Sequence, residues 1–294
     1  MAQCGPATEA LEWEKLMTET LLSHLSELLS VVLPTPPEEL PDPDMRDEYR
    51  FPGELSRGAQ GRKVKLAQEW LTLLEISLNP DGDFGPATER AVERFQAMRG
   101  LPVSGNIDVD TWMALIMPIL RANAPIPAGD QTLGELVIDY ASQHLAEHPR
   151  EIGHNQGPWV RMYLRGLEAA WCAGFVFYCV NQATRTLGIT HPLRTTFSCD
   201  RMAAQAKQLN LFVSEAQVGS MPPEEYEFFL PPGTIFLRRN TPTDWTHTGL
   251  VVCATEDALE TIEGNTNDEG SREGYEVCRR IRGYRNMDFV TLAL

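Results

Sequence analysis

Two tight glycine turns constrain this chain more than any other feature. Asp81-Gly82-Asp83-Phe84-Gly85-Pro86-Ala87-Thr88 is echoed by Ser104-Gly105-Asn106-Ile107-Asp108-Val109-Asp110-Thr111, with glycine, apolar and threonine positions in register. Each copy reads as a Gly turn, an apolar plug (Phe84 or Ile107) and a helix start. Pro86 suits a first helical turn, where its missing N–H costs nothing. Helical spacing follows each turn: Ala91, Val92 and Phe95 in the first copy, Trp112, Leu115 and Ile116 in the second. A preceding helix with Val64, Ala67, Gln68 and Leu71 completes a three-helix unit at residues 57–120. A domain this small needs nearly all its apolar residues for its core. Gly82, Phe84, Thr88 and Phe95 are therefore read as scaffold rather than ligand contacts.

The flanks divide the rest of the chain. Residues 8–33 place Leu21, Leu22, Leu25, Leu28, Leu29 and Val32 at helical spacing behind Thr8, so residues 1–33 are expected as an amphipathic helix. Such a stripe either packs on the rest of the protein or docks a partner. A Pro-rich acidic linker (34–56) follows, and a second, Ala/Pro/Gly linker (121–130) leads into a domain at 131–294. That domain opens with helices at about 131–147 and 171–187. It then turns to short alternating strands at 234–237, 248–253 and 260–263, with later segments near Val277 and Phe289. Helices first and an antiparallel sheet after them make an α+β fold.

Composition excludes several functions. A net charge of -16 argues against nucleic acid, whose phosphates require clustered Lys and Arg. The same charge disfavours an anionic membrane surface, and no apolar run approaches the ~18 residues that would span a membrane. The N-terminus lacks a basic segment followed by an apolar one, and Cys4 has no apolar run before it. The expectation is a chain made in the cytoplasm without a signal peptide. Six cysteines in such a chain are not expected to form a disulfide framework, and with no CxxC pair they do not suggest zinc. No cofactor or metal is expected.

One cysteine stands apart. In Trp171-Cys172-Ala173-Gly174-Phe175-Val176, Cys172 begins a helix, where unsatisfied N–H groups favour a thiolate. Alone this is weak, because a Cys among apolar helix residues is usually inert packing. Trp245-Thr246-His247-Thr248-Gly249-Leu250 then places a His at the start of an apolar strand, with a Gly that permits close approach. The next strand carries Glu263-Gly264-Asn265, and period-two alternation would put Glu263 and Asn265 on one face to orient an imidazole. Nucleophile on a helix, base on a strand and orienter on the adjacent strand is the papain-like order. Cys179 and Cys253 read as packing. His24, His144, His148 and His191 have structural explanations, and His154 lies in an exposed loop or lines the cleft.

Two resemblances follow from these motifs. The run DGDFGPATERAVERFQAMRGLPVSG, followed by DTWMAL, resembles the peptidoglycan-binding domain 1 family over about sixty residues, a size at which one helical unit can just fold. That implies binding to cell-wall glycan or stem peptide. WCAGFV, HTGLVV and IEGN, with EIGHNQGPWV and PGTIF upstream of the histidine, resemble the CHAP family of cysteine- and histidine-dependent amidohydrolases and peptidases over most of 131–294. This resemblance implies Cys172 as nucleophile, His247 as base and acid, Glu263 as orienter and Asn265 as an accessory fourth member. Thr246 departs from the Gly that many relatives have there. NlpC/P60 peptidases share the plan but typically use a second His as orienter, so CHAP leads.

Together the two resemblances imply a peptidoglycan hydrolase that cleaves an N-acetylmuramoyl-L-alanine amide or a stem or cross-bridge peptide bond. An endolysin released through a holin and a secreted antibacterial effector both fit, and delivery machinery or an immunity protein would meet the N-terminal helix or the cleft. A cysteine amidase on a non-wall amide and a non-catalytic wall-binding protein are the alternatives.

Overall fold

The computed structural model describes residues 46–267 and 274–292. The amphipathic helix expected at 1–33 and most of its linker lie outside the described residues. Residues Asp44–Leu294 form one compact unit.

The helical part contains α1 (Arg46–Tyr49), α2 (Arg62–Leu73), α3 (Pro86–Arg99) and α4 (Val109–Ala122). The expected linker at 34–56 ends early, since Tyr49 is buried and Leu55 bridges to Ile107. Both turns place glycine in the left-handed region, Gly82 at φ +81 and Gly105 at φ +71. Each is clasped by a buried glutamine from the preceding helix. Gln68 Oε1 accepts the Gly82 N–H at 2.7 Å, while its amide donates to Asp81, the Asp83 carbonyl and Thr88. Gln96 Oε1 accepts the Ser104 and Gly105 N–H groups at 2.9 and 3.0 Å and donates to Ser104, the Asn106 carbonyl and Thr111. One glutamine thus satisfies turn amides that burial would otherwise strand. Phe84 and Ile107 are fully buried plugs.

The C-terminal part has α5 (Leu133–Ala146), α6 (Pro158–Tyr163), α7 (Cys172–Leu187) and α8 (Cys199–Gln208), then a six-stranded antiparallel sheet. Its strands are β1 (Phe212–Val213), β2 (Ile235–Thr241), β3 (Asp244–Ala254), β4 (Leu259–Thr266), β5 (Glu276–Arg282) and β6 (Met287–Val290), in the spatial order β1-β6-β2-β3-β4-β5. The expected α+β arrangement is observed; the sequence reading passed over α6, α8 and β1. Helix α7 is buried along most of its length and packs on β3 and β4 at the centre of the sheet. A capping box at Thr132 and Glu135 starts α5.

The two parts share a seam. Helix α4 runs to Ala122, into the stretch expected as the 121–130 linker, and Asn123 is buried, donating to Ile119 O and accepting from Tyr178 OH. Trp70 meets Trp159 edge-on at 6.1 Å. Arg161 of α6 pairs with buried Glu48 and Glu69 of the helical part at 2.6 and 2.5 Å.

Candidate active site

Cys172 is the first residue of α7, whose start has no side-chain cap. Its leading N–H groups are therefore unspent and favour negative charge on a nearby sulfur. Cys172 is buried, and the Cys199 thiol, the His247 ring and the Ala173 amide hold its thiol well below the ordinary cysteine value although burial opposes the charge.

His247 reaches the site from β3. Its Nε2 is 2.8 Å from Glu263 Oε2, leaving Nδ1 as the ring nitrogen for Cys172. Burial works against an imidazolium, but hydrogen bonds to Cys172 and Glu263 lift His247 to about 9. Glu263 is fully buried on β4. Burial alone would raise its carboxyl; Arg282 and His247 instead hold it at about 2. Arg282 of β5 grips both oxygens, and Thr261 Oγ1 donates to Oε1 at 2.6 Å. Gly249 makes room for this carboxylate, because a Cβ there would sit 2.7 Å from both Glu263 Cγ and Phe236 Cε1. Thr246, the departure noted in the sequence, is exposed.

The structure thus brings Cys172, His247 and Glu263 together. Asn265 goes elsewhere. It has φ +55 at an irregularity in the β4–β5 register, which breaks the alternation that would have kept it beside Glu263. Its Oδ1 accepts the Trp171 N–H at 3.0 Å, and its Nδ2 donates to Glu151 Oε1 at 3.1 Å and the Gly274 carbonyl at 2.7 Å. Glu151 also accepts Trp171 Nε1–H at 2.6 Å and the Asn155 N–H at 2.8 Å. Asn265 and Glu151 therefore fix the residue that precedes the thiol. His154 is exposed beside Asn155, and Cys179 is buried with its thiol pushed up by burial.

Sequence reasoning missed Arg282, Thr261, Glu151 and Cys199. Arg282 sits in a run, Arg279-Arg280-Ile281-Arg282, that resembles a solvated edge. Cys199 had a legible signal. It follows Ser198, a helix cap, and so repeats the thiol-at-helix-start pattern that singled out Cys172.

Comparison with known proteins bears on the helical part. Residues 60–115 match a family described as "Putative peptidoglycan binding domain". The stretch contains both glutamine-clasped turns and lies inside the unit expected at 57–120. The crystal structure of the SleB N-terminal domain is similar at 32% identity, over 23% of this chain and 93% of that one, with a TM-score of 0.22. No curated protein matches the chain. Among the described residues no helix is long and apolar enough to cross a membrane.

Proposed function

We propose that the chain is a peptidoglycan hydrolase, its helical part holding the wall while Cys172, His247 and Glu263 cleave an amide bond in it. The observation that carries this reading is a line of groups: a buried thiol at an uncapped helix start, held low by a half-buried imidazole, and a fully buried carboxylate 2.8 Å behind that imidazole. The peptidoglycan-binding match at 60–115 supports the choice of polymer. The CHAP resemblance of WCAGFV, HTGLVV and IEGN supports the reaction class.

The chemistry runs through side chains alone. Cys172 and His247 rest as a thiolate–imidazolium pair, the arrangement that activates a sulfur at neutral pH. The sulfur attacks an amide carbonyl, and negative charge moves to the carbonyl oxygen. Backbone N–H groups at the start of α7, that of Cys172 among them, stabilise the oxyanion. His247 gives its proton to the leaving amine, the C–N bond breaks and a thioester remains. Water, giving a proton to His247, attacks the thioester, the C–S bond breaks, and the acid leaves as the thiolate–imidazolium pair is restored. Glu263 keeps the ring oriented and balances its charge throughout.

Cys172→Ala is expected to abolish release of soluble fragments from purified sacculi while leaving sacculus pelleting intact. Full solubilising activity in that variant would end this reading. An amidase for a non-wall substrate would fail to pellet, and a wall-binding protein without catalysis would pellet but release nothing. Release through a holin or loading into a secretion machine are the two delivery routes we propose, with residues 1–33 as the docking segment for a partner.

A further inference from the structure

One cavity in the helical part is lined by cations, in a chain whose net charge is -16. It measures about 480 Å³ and is bounded by residues 50–53 and the start of α2. Arg50, Arg62 and Lys63 supply its charge and Phe51, Pro52 and Leu66 its apolar lining; among the described residues no acid lines it. The segment that forms one wall is fixed from both sides. The Tyr49 carbonyl accepts the Trp112 Nε1–H at 2.8 Å, and Leu55 exchanges backbone hydrogen bonds with Ile107 at 2.8 and 3.1 Å. Lys63 Nζ donates to the Pro52 carbonyl at 2.6 Å and closes the segment onto α2. The positive charge is poorly compensated. Lys63 meets only a neutral carbonyl, and Arg62 stands 3.9 Å from Glu48, whose carboxylate Arg161 already holds at 2.6 Å. Arg50 is exposed and has no ion pair among the described residues. The helix adds to this, since Arg62 and Lys63 are its first two residues, Gly61 offers no side-chain cap and the first turn holds no acid.

We propose that this cavity is an anion-binding subsite for the wall, taking carboxylates of stem peptides or phosphates of wall-linked polymers in preference to neutral glycan. This rests on the helical part binding peptidoglycan. A chain of net charge -16 is repelled by an anionic polymer and docks on it only where positive charge is gathered. Arg50 and Arg62 can each hold a carboxylate or phosphate through two parallel N–H bonds, and Lys63 adds a third charge. Phe51, Pro52 and Leu66 give an apolar surface beside the anion, and the volume suits a small ligand group. The wall that is already fixed costs little to order on binding. The family match at 60–115 contains Arg62, Lys63 and Leu66, whereas residues 50–53 precede it. The cavity is therefore completed by a segment outside the matched family.

The test is pelleting of the full chain with purified sacculi, in a Cys172→Ala parent so that the polymer stays intact, at about 0.05 to about 0.5 M salt. Binding is expected to weaken as salt rises. Arg50→Gln together with Arg62→Gln is expected to weaken low-salt binding about tenfold and to flatten the salt dependence. Both side chains are exposed, so melting is expected to stay unchanged. Sacculi stripped of phosphate by hydrofluoric acid, and sacculi whose carboxylates are amidated, separate the two sources of the anion. Weaker binding after the first treatment assigns phosphate, and weaker binding after the second assigns carboxylate. A double variant that folds and pellets as its parent does overturns the cavity as the subsite and leaves wall binding standing. Absence of pelleting at every salt concentration overturns both. Should the double variant fail to fold, the parent decides: equal binding to untreated sacculi and to sacculi given both treatments overturns the proposal.

Discussion

Glu263 answers at once to His247, to Thr261 and to both arms of the Arg282 guanidinium, with no exposure to solvent. A buried charge is tolerable only with partners of this quality, and removing one partner strands the other. Glu263→Gln keeps the shape but leaves Arg282 without a counter-charge, so urea unfolding should show a loss of about 3–5 kcal/mol. The same groups set a pH dependence. Glu263 is lowered from 4.5 to about 2, so its contribution to stability is complete above 4.5 and disappears as pH falls through about 2. His247 is raised from 6.5 to about 9, so its contribution is complete below 6.5 and disappears as pH rises through about 9. Hydrolysis should fall across that upper window too, because the imidazolium that protonates the leaving amine is lost. Lytic rates measured across it check this, and a rate that held flat beyond it would contradict it. At this scale the sequence was most readable where chemistry is intrinsic to a residue type. Cys172, His247 and Glu263 announce themselves. Arg282 does not, since its role comes from lying beside Glu263 on the neighbouring strand, a relation set by pairing register.

Elements bring these residues together, and two glycines show how closely. A Cβ on Gly264 would meet Phe175 Cβ at 2.6 Å and Trp171 at 2.8 Å, so β4 approaches the start of α7 only because that side chain is absent. Gly249 does the same for the Glu263 side chain. Gly249→Ala should cost about 1–3 kcal/mol as an overpacked site and, by displacing Glu263 from His247, should lower the lytic rate as well. A variant with unchanged melting and rate would contradict that close fit. In the helical part, Gln96→Ala would leave the Ser104 and Gly105 N–H groups without their acceptor, at about 1–3 kcal/mol by urea unfolding. The repeated turns, α3, α5, α7 and the segments that become β2 to β6 were legible from periodicity and turn chemistry, but not their order in the sheet, where β6 lies between β1 and β2. Asn265 was misplaced because alternation assumes an unbroken strand, and a left-handed residue at a register shift breaks it. Helix α6 is short and follows a Gly-rich loop, so periodicity had little to act on.

At the scale of the molecule, the wall-binding match and the thiol site lie in one compact unit. Arg161 ties them, its guanidinium bonded to Glu48, Glu69 and Glu168. Arg161→Met should destabilise this seam by about 3–5 kcal/mol, since it strands two buried carboxylates, and should split a single unfolding transition into two. A single transition at the original midpoint would refute that coupling. The sequence suggested two bodies on an Ala/Pro/Gly tether because composition marks where a chain can bend. It does not show where aromatic and charged side chains such as Trp70, Trp159 and Arg161 close the gap. Whether Cys172 opens an amide in peptidoglycan is read by mass spectrometry of sacculi digested by the full chain. One new free amine is expected, at L-Ala, within a stem or in a cross-bridge, matched by one new carboxylate and absent from the Cys172→Ala digest. Fragments that lack a new amine, or the same fragments from Cys172→Ala, would contradict it.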